Sequence, residues 1–380
     1  MLVVVLLVIL GLMMIYSATF ILRTDPAYFL KRQILWAILG LILLVLLARV
    51  DYRKLAHLAL PIMGLSFLSL VVVLFMGGSG QFKIWFLGTS VQPSEFAKLA
   101  FIIYIAAWLA SKGDKIRDVT YGLIPFSVLL GIVAGLILME PDIGTAMLIV
   151  ATAVAMFFIS GAEMSQLFVG VMAGAPALYV VIVNSEVAMA RLTSFLNLGK
   201  DTGGMDYHVV SLLSALRAGG LTGRGLGAGQ QKLYPPFVYH TDTIVSVIGE
   251  ELGLVGCLVV VGLFLFIAYR GLAISFRAPD TFGSLLAFGI TCWIALQAMV
   301  HVGGNTATIP FTGLTLPFVS YGGSSLTMCL AGVGVLVSIS RLGRERTLRT
   351  SATFAFGRRN RRPRLSGSRR RGGTSKRGRR

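Results

Sequence analysis

Charge is scarce in this 380-residue chain: Asp, Glu, Lys and Arg make up 13% of it, while 56% is hydrophobic. A soluble domain typically carries about twice that share of charge, so a water-soluble globular fold is excluded. Cysteine is scarcer still. Cys257, Cys292 and Cys329 each fall in an apolar run, with neither metal-ligand spacing nor a disulfide framework. No GK[ST] follows any glycine-rich stretch, which argues against a nucleotide-binding P-loop. The first apolar run starts at Met1 without a basic n-region or a cleavage site. It reads as a retained helix rather than a signal peptide.

Long apolar runs are what the chain does have, with a mean hydropathy of +0.81. They are continuous rather than alternating, so helices spanning a bilayer are expected and a β-barrel is not. Ten spans are predicted, near residues 1–22, 33–49, 57–76, 93–111, 121–139, 143–160, 166–188, 243–269, 281–303 and 323–340. The expected fold is an all-α polytopic membrane protein with a long extracytoplasmic loop, 189–242, before the eighth span. Partial helix is expected in that loop around Val209-Val210-Ser211-Leu212-Leu213.

The formal net charge of +18 is carried by the tail. Residues 341–380 hold 16 Lys or Arg and a single Glu. This stretch cannot bury a core, so 344–380 is expected to be a disordered basic tail attracted to anionic lipid, not a nucleic-acid surface. Placing it in the cytoplasm puts the N-terminus there too. The short inner loops then carry eight basic residues and the short outer loops four, as the positive-inside rule requires.

With that orientation Glu95, Lys98, Glu140, Asp142, Asp242 and Glu250 lie in the outer half or at the outer surface, and the inner half has no such cluster. Ionisable residues at membrane depth are site candidates by default. Glu95 and Lys98, three residues apart, share a helix face; they form either an ion pair between helices or a contact to a phosphate. Asp242 stands where an N-cap belongs, and it is equally placed to act as a general base. Glu250, about 12 Å deeper along the same helix, needs hydrogen-bond partners or a proton. The glycine-dense stretch 219–229, with Arg217, Arg224 and Lys232 nearby, reads either as a backbone nest for pyrophosphate or as a flexible loop. Two prolines and three glycines in 310–325 predict a broken or re-entrant segment lining a cavity.

Five motifs in order resemble those of the SEDS family, of FtsW/RodA/SpoVE type, over nearly all of residues 1–343. They are QPSEFAK (92–98), EPDIGTA (140–146), SALRAGGLTGRGLGAGQQK (214–232), HTDTIVSVIGEELGLVG (240–256) and PFTGLTLPFVSYGGSSL (310–326). The chain departs from the family at Ile84, at His208 and at His301, and its N-terminal cytoplasmic segment is almost absent, which reads as truncation.

The resemblance implies a peptidoglycan glycosyltransferase that polymerises lipid II at the outer face of the bacterial cytoplasmic membrane, in division, elongation or sporulation. It also implies a class B penicillin-binding protein as partner. Asp242 is then the catalytic residue. Glu95, Lys98, Asp142, Arg191, Arg217, Arg224, Lys232, Glu250, Ser320 and Ser324 are candidates for substrate contact. A divalent cation, Mg or Mn, is left open as a cofactor. A lipid II flippase is the alternative. It would need polar groups across both leaflets, and the inner half lacks them. A silent scaffold would leave Asp242 and Glu95 unexplained.

Overall fold

The apolar runs fold as helices because backbone facing lipid must pair its N–H and C=O groups within its own segment. The computed structural model describes residues 1–19, 27–76, 84–86, 89–140, 142–197, 205–230 and 241–359. In chain order the helices are α1 (Leu2–Thr19), α2 (Tyr28–Arg49), α3 (Arg53–Met76), α4 (Pro93–Lys112), α5 (Ile124–Met139) and α6 (Ile143–Ile159). They continue as α7 (Met164–Asn184), α8 (Glu186–Leu196), α9 (Met205–Gly219), α10 (Ile244–Phe276), α11 (Thr281–Asn305) and α12 (Gly323–Arg359). A short antiparallel hairpin, β1 (Ile84–Phe86) with β2 (Thr89–Val91), leads into α4.

Among the described residues nine helices are long and apolar enough to cross a membrane, and the 17-residue α6 is a shorter tenth. All ten expected spans are therefore helical. In its described residues the segment 189–242 is partly helical, with α9 covering the expected stretch at 209–213. The seventh span stops at Asn184, Ser185 caps α8 by accepting from the Ala188 N–H (3.3 Å), and α9 follows. Helix α12 continues through Arg359, past the predicted start of the tail, and residues 360–380 lie outside the described residues.

The centre and rim of the bundle follow from burial. In the spans built on α4, α11 and α12, 67%, 61% and 67% of the most apolar window is buried, against 6% for α7. Helix α2 lies against α12 at small residues: a Cβ on Gly334 would stand 2.6 Å from the Leu44 carbonyl oxygen. Such residues let helices approach in lipid, where packing replaces the hydrophobic effect.

Two breaks interrupt the helices where the sequence is rich in glycine or proline. Residues 306–322, between α11 and α12, are not helical, yet Leu314, Leu316, Phe318, Val319 and Ser320 are buried. Helix α1 packs directly on this backbone, since a Cβ on Gly11 would come within 2.7 Å of Val319 O. The second break is inside α10, where Gly253 takes φ 70° and ψ −169°.

At the end of the bundle assigned to the inner face, Asp280 caps α11 by accepting from the Gly283 N–H (2.7 Å). Its other oxygen accepts from the buried Tyr52 hydroxyl (2.6 Å) and from Arg53 Nε (3.1 Å), joining the α2–α3 and α10–α11 turns. At the opposite end Glu140, just past α5, is buried. Burial, and then the neighbouring Asp142 charge, push its carboxyl from an ordinary 4.5 up to about 7.

Two outcomes follow. Asp280→Ala removes a helix cap and strands a buried hydroxyl, each worth about 1 kcal/mol or more. It should lower the thermal midpoint of the purified protein; an unchanged midpoint contradicts the clasp. Glu140 holds its proton more tightly in the folded than in the unfolded state. Its contribution is therefore favourable at pH 5 and is lost as pH rises through 7. Glu140→Gln should match wild type near pH 5 and exceed it in thermal stability at pH 8. Parallel stability-versus-pH curves for the two proteins would rule this out.

Candidate functional site

The site is built where non-helical backbone meets the ends of α4, α6, α8, α10 and α11. Asp142 is the N-cap of α6, and its Oδ1 accepts from the Thr145 N–H (3.1 Å). Its Oδ2 accepts from Gln92 Nε2 (3.1 Å) and Ser94 Oγ (3.3 Å). Gln92 in turn donates its N–H to Ser324 Oγ (3.4 Å). Three of the sequence motifs thus meet at Gln92, which links the start of α4 to Asp142 at the head of α6 and to Ser324 in the first turn of α12. Ser320 Oγ accepts from the Leu316 N–H (2.9 Å), closing the turn after the last proline.

Asp242 lies just before α10, and the residue in the capping position is Thr243. Its half-buried side chain faces the guanidinium of Arg191, from α8, across Gly313. A Cβ built on Gly313 would stand 3.4 Å from Arg191 Nη2 and 3.6 Å from Asp242 Oδ2. Gly313 has φ 74°, which favours glycine, so the gap between cation and carboxylate stays free of a side chain. Arg191 is anchored by donating from Nη1 to Thr312 O (2.8 Å). Burial works against its charge, while Asp242 and Asp142 both work for it. Asp142, Arg191 and Asp242 are therefore brought together.

Glu95 and Lys98 sit deeper and form the buried pair that their spacing predicts. Lys98 has no exposed surface; its Nζ donates to Glu95 Oε1 (2.8 Å) and to Gln297 Oε1 (3.1 Å). Gln297 Oε1 also accepts from Trp293 Nε1 (2.8 Å), and its Nε2 donates to Thr315 O (2.9 Å). One turn along α11, His301 Nδ1 donates to Leu314 O (2.6 Å). One turn further, Asn305 Nδ2 donates to Asp242 O (2.9 Å). Positions 293, 297, 301 and 305 thus form a polar ladder on one face of an otherwise apolar helix. Sequence reading missed it, although polar residues at every fourth position of an apolar span are a visible signal.

The glycine-dense stretch has a different role from the two expected of it. Where α10 breaks at Gly253, the carbonyls of Glu250 and Glu251 accept from the N–H groups of Arg224 and Gly225 (both 3.0 Å). The N–H groups of Leu254 and Val255 donate to Gly220 O (3.0 Å) and Leu221 O (3.2 Å). The loop supplies the bonds that the helix loses. A side chain at Gly219, Gly223 or Gly253 would collide with the opposing backbone. The N–H groups that a pyrophosphate nest requires at Arg224 and Gly225 are thereby occupied.

Glu250 is buried below this loop and accepts from the Gln230 N–H (2.7 Å), with Arg224 Nη1 at 3.6 Å. Its neighbour Glu251 accepts from Ser17 of α1 (2.6 and 2.7 Å to its two oxygens). Arg217 is exposed at the end of α9, and Lys232 lies outside the described residues. Among the described residues no three His, Cys, Asp or Glu side chains converge to hold a metal ion. Arg191 brings a positive charge within electrostatic reach of both Asp142 and Asp242.

Similar proteins locate this arrangement in a family. A "Probable peptidoglycan glycosyltransferase FtsW" of Trichlorobacter lovleyi is 39% identical over 339 residues, covering 87% of this chain and 89% of that protein. "Stage V sporulation protein E" of Bacillus subtilis is 38% identical over 359 residues, covering 89% and 95%. Among solved structures, a chain from a peptidoglycan synthase complex that coordinates polymerization and crosslinking superposes with a TM-score of 0.74. It is 30% identical, over 90% of this chain and 96% of that one. RodA of Thermus thermophilus gives a TM-score of 0.64 at 29% identity, over 90% and 95%. The sequence pattern of the FtsW/RodA/SpoVE group, described as cell cycle proteins, matches residues 1–345. With that match spanning the bundle from α1 into α12, this multi-pass membrane protein belongs to the FtsW/RodA/SpoVE family.

Proposed function

We propose that the chain is a peptidoglycan glycosyltransferase that polymerises lipid II into glycan strands at the outer face of the bacterial cytoplasmic membrane. The observation that carries this reading is the gap over Gly313, with a carboxylate on one side and an anchored guanidinium on the other. Glycosyl transfer from a lipid pyrophosphate needs both. Asp242 takes the proton from the acceptor sugar hydroxyl as that oxygen bonds to the anomeric carbon of the donor. The bond from that carbon to the pyrophosphate oxygen breaks, and undecaprenyl pyrophosphate leaves with the electron pair. Arg191 stabilises the charge that develops on the leaving group; fixed cations in a partly desolvated site are well suited to this.

The related proteins named above support the chemistry, and burial supports the division of roles. Lys98, sealed between Glu95 and Gln297, holds α4 against α11. Arg191, half-buried beside Asp242, is the cation positioned for substrate. Both termini are placed in the cytoplasm, with Asp242 on the opposite side. A class B penicillin-binding protein that crosslinks the new strand is the proposed partner.

Two substitutions test the site in the purified protein supplied with lipid II and its cognate transpeptidase. Asp242→Asn keeps shape and removes the base. It should cut polymerisation by at least about 10²-fold while leaving thermal stability near wild type; undiminished glycan synthesis by the folded variant refutes the assignment. Gly313→Ala puts a methyl group into the gap and strains a left-handed backbone. It should reduce polymerisation by about tenfold or more at a strain cost of about 1 kcal/mol. Wild-type turnover by Gly313→Ala would show that substrate does not use this gap.

A further inference from the structure

The geometry points to Asn305 as a positioning residue for Asp242, acting through the backbone of that residue rather than through its carboxylate. The inference rests on the reading of Asp242 as the base. Asn305 ends α11 and is buried, with 1% of its surface exposed. Its two amide hydrogens have separate acceptors, both at 2.9 Å: the carbonyl of His301, one turn back in its own helix, and the carbonyl of Asp242, 63 residues earlier in the chain. A residue that merely finishes a helix needs only the first bond. The second reaches into the site.

The orientation of the amide is fixed by chemistry. Turning it over would bring its oxygen against two carbonyl oxygens, so the donor end must face Asp242. Asn305 Oδ1 and the adjacent Thr243 Oγ1 are both buried with no protein partner among the described residues. The position therefore tolerates an unsatisfied acceptor, while both of its donors are used. Burying such a group is unfavourable, and a helix end could be finished by a smaller residue without it.

The consequence for Asp242 follows from its place in the chain. It precedes α10 by two residues, just outside the helix. The Ser246 N–H closes the first turn on Thr243 O (3.0 Å), which fixes the chain just after Asp242. The Asn305 bond fixes the Asp242 carbonyl itself. Together they set the direction in which Cα–Cβ leaves the backbone, and so where the carboxylate meets the gap over Gly313. A displacement of about 1 Å in a reacting group can cost about 10²-fold in rate. The ladder below supports the clamp from the other side. His301 and Gln297 hold the carbonyls of Leu314 and Thr315, immediately after Gly313, so one face of α11 positions both Asp242 and the segment that carries Gly313.

The test uses the full chain with its cognate transpeptidase, with turnover expressed per folded molecule. Asn305→Leu keeps volume and removes the amide; Asn305→Ser, a smaller change that keeps one hydroxyl donor, covers the case in which the leucine variant does not fold. We expect kcat for lipid II polymerisation to fall about 10- to 100-fold in Asn305→Leu and less in Asn305→Ser, with KM within about twofold of wild type. A purely structural role would lower the yield of folded protein without this split. Wild-type kcat in either folded variant, or a loss confined to KM, overturns the proposal. Asp242→Asn, measured alongside, separates the two readings. If it is inactive while Asn305→Leu turns over normally, only the positioning role falls. If it is active, the base assignment falls and the Asn305 bond is a fold contact.

Discussion

Backbone that leaves the helix inside a membrane bundle must find its hydrogen-bond partners in protein, and the whole site is organised around that constraint. The chain breaks its helices in two buried places, and each break is repaired by a dedicated element. Residues 314 and 315 are held by the His301 and Gln297 side chains of α11. The α10 break at Gly253 is repaired by the backbone of residues 220–225. Once paired, irregular backbone is as rigid as helix and far more versatile. It can turn a carbonyl, a glycine or an aspartate toward a space that a regular helix would close.

The charges obey the same logic at two depths. In the interior, Lys98 and Glu95 neutralise each other, and Gln297 completes the ammonium's bonds. Removing either partner would leave an uncompensated buried charge, which is far costlier than the pair. Near the surface the balance is left incomplete. Arg191 faces two aspartates, and one of them, Asp142, already accepts from Gln92, Ser94 and Thr145. The other, Asp242, lies with Arg191 beside Gly313, at the position proposed above for the substrate.

How much of this the sequence discloses depends on the distance over which each feature is decided. The ten spans are legible because apolar length is a local property, and the 17-residue α6 falls just short of the length of the nine described helical spans that can cross, the fifth of which runs over Val119–Met139. The Glu95–Lys98 pair is legible because three residues on a helix fix a shared face. The glycine-rich stretch is open to two readings from sequence alone, and the structure adds a third, pairing with the broken backbone of α10. Whether its N–H groups face a phosphate or a carbonyl is settled by Glu250 and Glu251, more than twenty residues away. The Asp242–Arg191 gap depends on a third segment, Gly313, that is distant from both in sequence. Asn305 was passed over because a single asparagine at a helix end has an ordinary explanation. Its long-range bond is invisible until α10 and α11 are placed side by side.

Glycine serves this protein in two opposite ways, and the distinction decides what each position can tolerate. At Gly219, Gly223 and Gly253 the missing side chain lets two backbones touch, so any replacement separates the loop from α10 and unpairs four hydrogen bonds together. At Gly313 the missing side chain leaves room that no protein atom fills, with Arg191 and Asp242 at ordinary contact distance from where a Cβ would be. The first kind of glycine lets two backbones touch, and the second combines a left-handed backbone with open space beside Arg191 and Asp242. Gly223, Gly253 and Gly313 all take a positive φ, outside regular helix geometry, because an unbroken helix could neither accept a neighbouring backbone nor turn so small a residue toward both a carboxylate and a guanidinium.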